Sequence, residues 1–298
     1  MTNPVSTNVS VQPNKHATGV LPGVLPGVMP GISCVVMADV QGSRDIRNIA
    51  IDKVGVKNVV YPIRLARPTA AGGGEQTSVA KINMYVSLPH EKKGTHMSRF
   101  MEVLSGYDRA FAPSDILAIT RAIRQRLESP DAHFSVSFTY FIKKYAPVTK
   151  QPSMMNYEAS FDCSVGETED FVLGVKAPAT SLCPCSKEIS AYGAHNQRCL
   201  VEAKVRFTGE LWIEDLVTTL ESAASMELFG VLKRPDEKYV TEKAYENPKF
   251  VEDIVRDLAV SLDGDERITW YSIASTNYES IHSHDAYAEI TRNKSISQ

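Results

Sequence analysis

The chain has 298 residues, 43% hydrophobic and 22% charged, a balance that can fill a core and excludes global disorder. Its 32 basic residues against 35 acidic ones give a formal charge of −3, which offers no support for a general binder of nucleic acid or anionic membranes but leaves room for a local basic pocket. No apolar run approaches the roughly 20 residues of a membrane span, and the length suits about two domain-sized units.

Residues 1–45 read as a flexible Pro/Gly-rich tail. Val20-Leu21-Pro22-Gly23, Val24-Leu25-Pro26-Gly27 and Val28-Met29-Pro30-Gly31 place a turn-forming pair every four residues, which also breaks any helical secretion signal. Beyond the tail, Val54–Ala66 and Ser78–Leu88 read as strands; Ala80, Ile82, Met84 and Val86 alternate with their neighbours as a half-buried strand requires. Helices are expected at Met97–Leu104 and from Pro113, where Ile116, Ile119, Ile123 and Leu127 follow helical spacing up to Pro130. Phe134–Ile142 and Met154–Val165 read as further strands.

The second half repeats this order. Phe171–Lys176 and Leu200–Thr208 are expected strands, followed by a helix with Ile213, Leu216, Val217, Leu220 and Ala224 on one face. Lys233–Lys238 reads as a solvated loop. A helix is expected to start at an Asn247 cap with Pro248 in first position, and its stripe is Val251, Ile254, Val255, Leu258 and Leu262. Strands at Ile268–Tyr278 and His284–Arg292 close the half. Each half thus reads strand–strand–helix–helix–strand–strand, an α+β arrangement with two helices on one face of antiparallel strands. The boundaries fall at 46–166 and 167–298, with most of the chemistry in the second unit; one irregular α+β domain is the alternative.

Cysteines stand at 34, 163, 183, 185 and 199, an odd count in a chain too large to need staples. A reduced, cytoplasmic protein with thiol or metal chemistry fits this usage best. The densest cluster is Ser181-Leu182-Cys183-Pro184-Cys185-Ser186-Lys187, followed by Tyr192-Gly193-Ala194-His195-Asn196-Gln197-Arg198-Cys199. On an extended backbone two thiols one residue apart point to opposite sides. A division of labour therefore suits them, with one thiolate as metal ligand and the other as acid, base or nucleophile. A closed structural site of Cys183, Cys185, His195 and Cys199 and a set of ordinary buried thiols both stay open. His282 and His284, with Glu279 and Asp285 beside them, would project to one face of an extended segment, which suits a ligand and a proton shuttle. Read locally, Glu237 is a loop residue, and Glu252 is a first-turn helix carboxylate four residues before Arg256. Gly94–Arg99 suits a helix cap or a polar pocket edge.

Taken together, Met37-Ala38-Asp39-Val40-Gln41, Lys93-Gly94-Thr95-His96-Met97-Ser98-Arg99, the Ser181–Lys187 and Gly193–Arg198 segments, Glu279-Ser280-Ile281-His282 and His284-Asp285-Ala286 resemble the prokaryotic type IB GTP cyclohydrolase I family. The resemblance runs to Arg292 and implies the tunnelling fold (T-fold), with two modules per subunit. It implies homotetramers with active sites at subunit interfaces, and it implies a cytoplasmic enzyme that converts GTP and water to 7,8-dihydroneopterin triphosphate and formate for folate and deazapurine synthesis. Cys183, His195 and Glu237, with His282 close by, are implied as ligands of a divalent metal, either zinc, manganese or iron. Cys185 resembles the essential non-ligand cysteine. With Glu279, His282 and His284 it makes up the implied catalytic group, while Glu252 matches the guanine anchor. Lys187, Arg198 and Arg99 are expected triphosphate contacts. The metal is expected to deliver hydroxide to C8 of the purine. Ala38 and Cys199 depart from the family's usual proline and serine without removing a catalytic group. A nitrile reductase of the same architecture, using a cysteine nucleophile and NADPH, is the rival enzyme class.

Overall fold

The computed structural model describes residues 38–69 and 72–294, so the Pro-Gly repeat and Cys34 lie outside the described residues. From Val40 onward the chain forms one compact unit. Its strands are β1 (Ile51–Ala66), β2 (Glu75–Leu88), β3 (Ala132–Tyr145), β4 (Pro152–Val165), β5 (Glu169–Leu182), β6 (Asn196–Phe207), β7 (Met226–Glu227), β8 (Ile268–Asn277) and β9 (Ala286–Asn293). All lie in one antiparallel sheet, ordered β1-β2-β3-β4-β5-β6-β8-β9, with the two-residue β7 paired to β5.

Register explains why the sheet has one core. Ala80 opposes Phe138, Phe138 opposes Ala159, Ala159 opposes Val175, Val175 opposes Ala203, and Ala203 opposes Ile273. Opposed residues share a face, so these buried side chains form an apolar row that crosses both halves. The helices are α1 (Met97–Ser105), α2 (Pro113–Arg126), α3 (Pro184–Ile189), α4 (Ile213–Ala223), α5 (Arg234–Glu246) and α6 (Val251–Gly264), and all but the short α3, which buries no residue, pack over that face. α2 rests on β3 and β4, α4 on β5 and β6, and α6 on β8 and β9. Their inward stripes, such as Ile116–Ile119–Ile123 and Ile254–Val255–Leu258–Leu262, follow the spacing the sequence predicts. The opposite face is polar: Lys81, Ser137, Ser160, Gly174, Lys204 and Ser272 line an open groove of about 710 Å³.

The T-fold of two modules, each with two helices, is corrected here to one nine-stranded sheet carrying six helices among the described residues. The physical reason lies at residues 166 and 167. β4 and β5 pair from Val165–Glu169 out to Glu158–Lys176, so the point expected to separate two modules is the tip of a hairpin inside the sheet. A Cβ at Gly166 would fall 2.1 Å from Asp131 Oδ1, so any other residue at the tip would displace that carboxylate. The second half also holds four helices rather than two. Lys233–Lys238, expected as a loop, opens α5, and Asn247 closes α5 instead of starting the next helix, which begins after Phe250. Pro248 therefore follows a helix end, the other place proline favours.

One ionic cluster sits in the core. Lys144 Nζ lies 2.9 and 3.0 Å from the Glu221 carboxylate oxygens, pairs with Glu227, and stands over the Phe229 ring at 4.6 Å. Tyr157 Oη donates to Glu221 at 2.7 Å. Among the described residues no helix is long and apolar enough to cross a membrane.

Candidate active site

β5 ends at Leu182, and Pro184 takes the first position of α3, which makes Cys183 the N-cap of that helix. The extended backbone expected for Cys183-Pro184-Cys185 holds at Cys183 and is corrected from Pro184 onward, since the fixed φ of proline suits the first helical turn. The Cys183 Sγ accepts the Ser186 N–H at 3.4 Å, and Cys185 is exposed. Cys183 N–H donates to the His195 carbonyl at 3.2 Å, continuing the β5–β6 register from Leu182–Asn196. Ser186 Oγ donates to the Cys183 carbonyl at 3.2 Å and accepts the His195 N–H at 3.3 Å. Opposed residues of paired strands carry Cβ atoms about 4.5–5.5 Å apart, and Cys183 and His195 occupy such an opposed position. Gly193, at φ +114°, supplies the return turn that a side-chain-bearing residue would strain.

Next to this pair lies a row of polar side chains in the inward phase of the strands. His195 Nδ1 is 2.9 Å from Gln197 Oε1 and 3.2 Å from Ser280 Oγ. Gln197 Nε2 donates to Glu279 Oε1 at 3.4 Å and to Ser181 Oγ at 3.5 Å. Asn277 Nδ2 donates to Ser181 Oγ at 2.9 Å, and Ser275 Oγ donates to Asn277 Oδ1 at 3.4 Å. Ser181, Gln197, Ser275 and Asn277 are buried. The sequence reading gave none of these four a role. Their signal was a polar residue in the phase of apolar neighbours, Gln197 before Cys199 and Val201, and Ser275 and Asn277 after Tyr271 and Ile273.

The remaining expected residues are distributed around this centre. Glu279 is half-buried against Gln197. His282 and His284 are exposed, with rings stacked at 5.2 Å and 20°. They lie in the bend before β9, not in the strand expected to begin at His284. Glu252 is exposed in the first turn of α6. That helix starts beside the end of β5, because Lys249 N–H donates to the Leu182 carbonyl at 3.0 Å and Ser181 Oγ donates to the Lys249 carbonyl at 3.4 Å. Lys187 Nζ donates to the Tyr245 carbonyl at 2.5 Å and lies 4.4 Å from the Tyr245 ring centroid, tying α3 to α5. Arg198 is exposed and, one residue from Gln197, faces the other side of the sheet. Arg99 is half-buried on α1, in the other half of the chain.

Glu237 is exposed in the first turn of α5, next to the fully buried Asp236. The Asp236 carboxylate accepts from the N–H groups of Val148 (2.9 Å), Thr149 (2.8 Å) and Lys233 (2.9 Å), and from Thr149 Oγ1 (2.6 Å). Burial alone would raise its pKa, but these donors outweigh that effect and hold it well below the usual carboxylate range. A depressed folded-state pKa gives stability that is present above the unfolded value and lost on acidification. Asp236→Asn is therefore expected to lower the melting temperature at neutral pH, with the difference from the parent shrinking below about pH 4. A pH series of thermal melts checks this.

Among the described residues no group of three or more His, Cys, Asp or Glu side chains is close enough to hold a metal ion. Cys183 and His195 fit such an ion by donor chemistry, a thiol beside an imidazole whose Nδ1 is already tied. Glu237 and His282 do not join them within one chain. The closed site of Cys183, Cys185, His195 and Cys199 is not formed either. Cys199 is buried in the core of β6, where burial pushes its thiol up to about 12.

Residues 37–288 match the family described as Type I GTP cyclohydrolase folE2. The GTP cyclohydrolase FolE2 of Geotalea uraniireducens (strain Rf4) is 50% identical over 258 residues, covering 87% of this chain and 94% of that protein. That of Magnetococcus marinus is 52% identical over 255 residues, covering 85% of this chain and 95% of that protein. None of these names carries the type IB designation given to the sequence resemblance, which is corrected to FolE2. A crystal structure of a hyper-thermostable AgUricase mutant shares the fold at TM-score 0.52 and 9% identity, over 83% of this chain and 94% of that one.

Proposed function

The chain belongs to the GTP cyclohydrolase FolE2 family, and we propose that it hydrolyses GTP to 7,8-dihydroneopterin triphosphate and formate, at the entry to folate and deazapurine synthesis. The observation that carries this reading is the placement of Cys183 opposite His195 at the ends of β5 and β6, with the imidazole Nδ1 held from behind. A thiolate–imidazole pair accepts zinc, and with carboxylate oxygen added it also accepts manganese or iron. When bound there, the metal would activate water for attack on C8 and polarise the purine.

This chain's own residues then divide the work. Cys183 and His195 hold the metal. Glu237 and His282, both exposed, supply further donors where copies of the chain meet in a homotetramer with interface sites. Cys185, exposed on the first turn of α3, protonates the nitrogen that leaves as the ring opens. The exposed His282–His284 pair passes protons between the pocket and solvent during the later rearrangement of the ribose. The Glu252 carboxylate accepts the guanine N1–H and 2-amino hydrogens, a bidentate match to that edge. The remaining N–H groups of Lys187 contact the triphosphate, and Arg99 and Arg198, which lie away from Cys183 and His195 within one chain, reach it from a neighbouring copy. A reducing cytoplasm keeps Cys183 and Cys185 as thiols.

Protein reconstituted with each of several divalent ions, supplied with GTP and scored by formate release and pterin fluorescence, tests the reaction; no turnover with any ion would overturn it. NADPH oxidation with a nitrile substrate separates the rival reductase. Glu252→Gln is expected to raise KM for GTP about 10- to 100-fold, as loss of a charged hydrogen bond of about 1.5–3 kcal/mol implies. Steady-state kinetics with an unchanged KM would remove Glu252 from the guanine site.

A further inference from the structure

We propose that Gln197 is a positioning residue that sets which nitrogen of His195 is presented to the metal, and that Glu279 acts on the site through Gln197. The inference rests on the metal reading above and deepens it. An ionised carboxylate can only accept hydrogen bonds. Glu279 Oε1, 3.4 Å from Gln197 Nε2, therefore requires the amide to turn its NH₂ group that way. Ser181 makes the same demand. Its hydroxyl donates to the Lys249 carbonyl and accepts from Asn277, so it offers Gln197 a lone pair. With the NH₂ group so engaged, Oε1 faces His195 Nδ1 at 2.9 Å.

An amide oxygen has no hydrogen to give, so Nδ1 carries the ring hydrogen and Nε2 keeps its lone pair. Ser280 Oγ, at 3.2 Å from the same nitrogen, can accept or donate, so it follows the tautomer and does not choose it. Gln197 is 9% exposed, and Ser181 and Asn277 are 0% and 3% exposed, so the amide sits mainly among protein partners. The chain Glu279–Gln197–His195 thus keeps the imidazole in the form that ligates through Nε2 before any metal arrives.

Metal-free protein with ¹⁵N-labelled histidine tests this without GTP. In the parent, His195 is expected to carry its hydrogen on Nδ1. Gln197→Leu is expected to move it to Nε2 and to weaken zinc binding about 10- to 100-fold, the usual cost of losing a partner behind a ligand. Gln197→Glu alone sets two carboxylates face to face and is expected to weaken zinc binding as well. The double variant Gln197→Glu/Glu279→Gln exchanges donor and acceptor and is expected to restore both the Nδ1–H form and the affinity. Should Gln197→Leu not fold, Glu279→Gln, equal in volume, leaves the long 3.5 Å bond to Ser181 as the one contact orienting the NH₂ group and is expected to give a mixture of the two tautomers. An Nδ1 hydrogen that persists in Gln197→Leu, a single Nδ1–H form in Glu279→Gln, or a double variant as weak as Gln197→Leu overturns the proposal. Loss of formate release with these readouts intact would count against the proposed reaction alone.

Discussion

Cys183→Ala is expected to empty the protein of divalent metal and to abolish formate release from GTP, whereas Cys185→Ala keeps the metal and loses turnover. Cys183 and His195 are the two expected ligands that lie opposite each other at the β5–β6 end, so removing the thiol takes away half of what that end offers an ion. The loss should therefore exceed the roughly 10- to 100-fold seen when a partner behind a ligand is removed. Alanine also leaves the Ser186 N–H without its sulfur acceptor, and a loosened α3 could mimic a lost ligand. Cys183→Ser separates the two effects, because a hydroxyl caps helices well but is a poor match for zinc. Metal analysis beside formate release should find Cys183→Ser folded, metal-poor and inactive. A metal content equal to the parent's in Cys183→Ala would remove Cys183 from the ligand set.

The largest effect on stability is expected from Lys144→Met. Glu221 is 8% exposed, and Lys144 is the cation against it. Breaking such a buried pair from one side costs about 3–5 kcal/mol, or about 10 °C in Tm for a chain of this size. Burial raises the pKa of Glu221, and Lys144 and the Tyr157 hydroxyl oppose that rise without cancelling it. A raised folded-state pKa means that this carboxyl favours the folded state most when protonated, and that the benefit is lost as pH climbs through the folded value. Without Lys144 the rise is larger. The deficit of Lys144→Met should therefore be widest at neutral pH and narrow toward the ordinary glutamate range near pH 4.5. Lys144→Met combined with Glu221→Leu should recover most of the loss. A single variant that melts with the parent across that range would show the pair to be energetically idle.

Much of the sheet was legible because its strands have one buried face. The period-two run Phe134, Val136, Phe138, Tyr140 places β3 correctly, and the stripes of α2, α4 and α6 are as visible. α5 was not legible, because it buries only Asp236 and Ala244 and so carries no apolar stripe. Asn247-Pro248 misled for a related reason: asparagine followed by proline suits the end of one helix as well as the start of the next. Cys183-Pro184-Cys185 reads locally as extended, yet its proline opens a helix. At the site, the types and spacing of residues 183, 195, 282 and 284 stood out, whereas Gln197 and Asn277 sit among alternating apolar residues. Their importance comes from opposing partners on neighbouring strands, which no local pattern shows. The same limit hid the pairing of β4 with β5.

That hairpin has a consequence for how the two halves can be treated. A chain cut at Gly166 would leave β4 with a bare row of N–H and C=O groups where β5 had been. The apolar surface formed by Tyr157, Ala159 and Phe161 would at the same time lose its neighbours Leu173 and Val175. Neither piece is a spare part that could be grafted onto another protein, and a transplant of the cysteine-bearing half would have to bring a substitute for the lost flank.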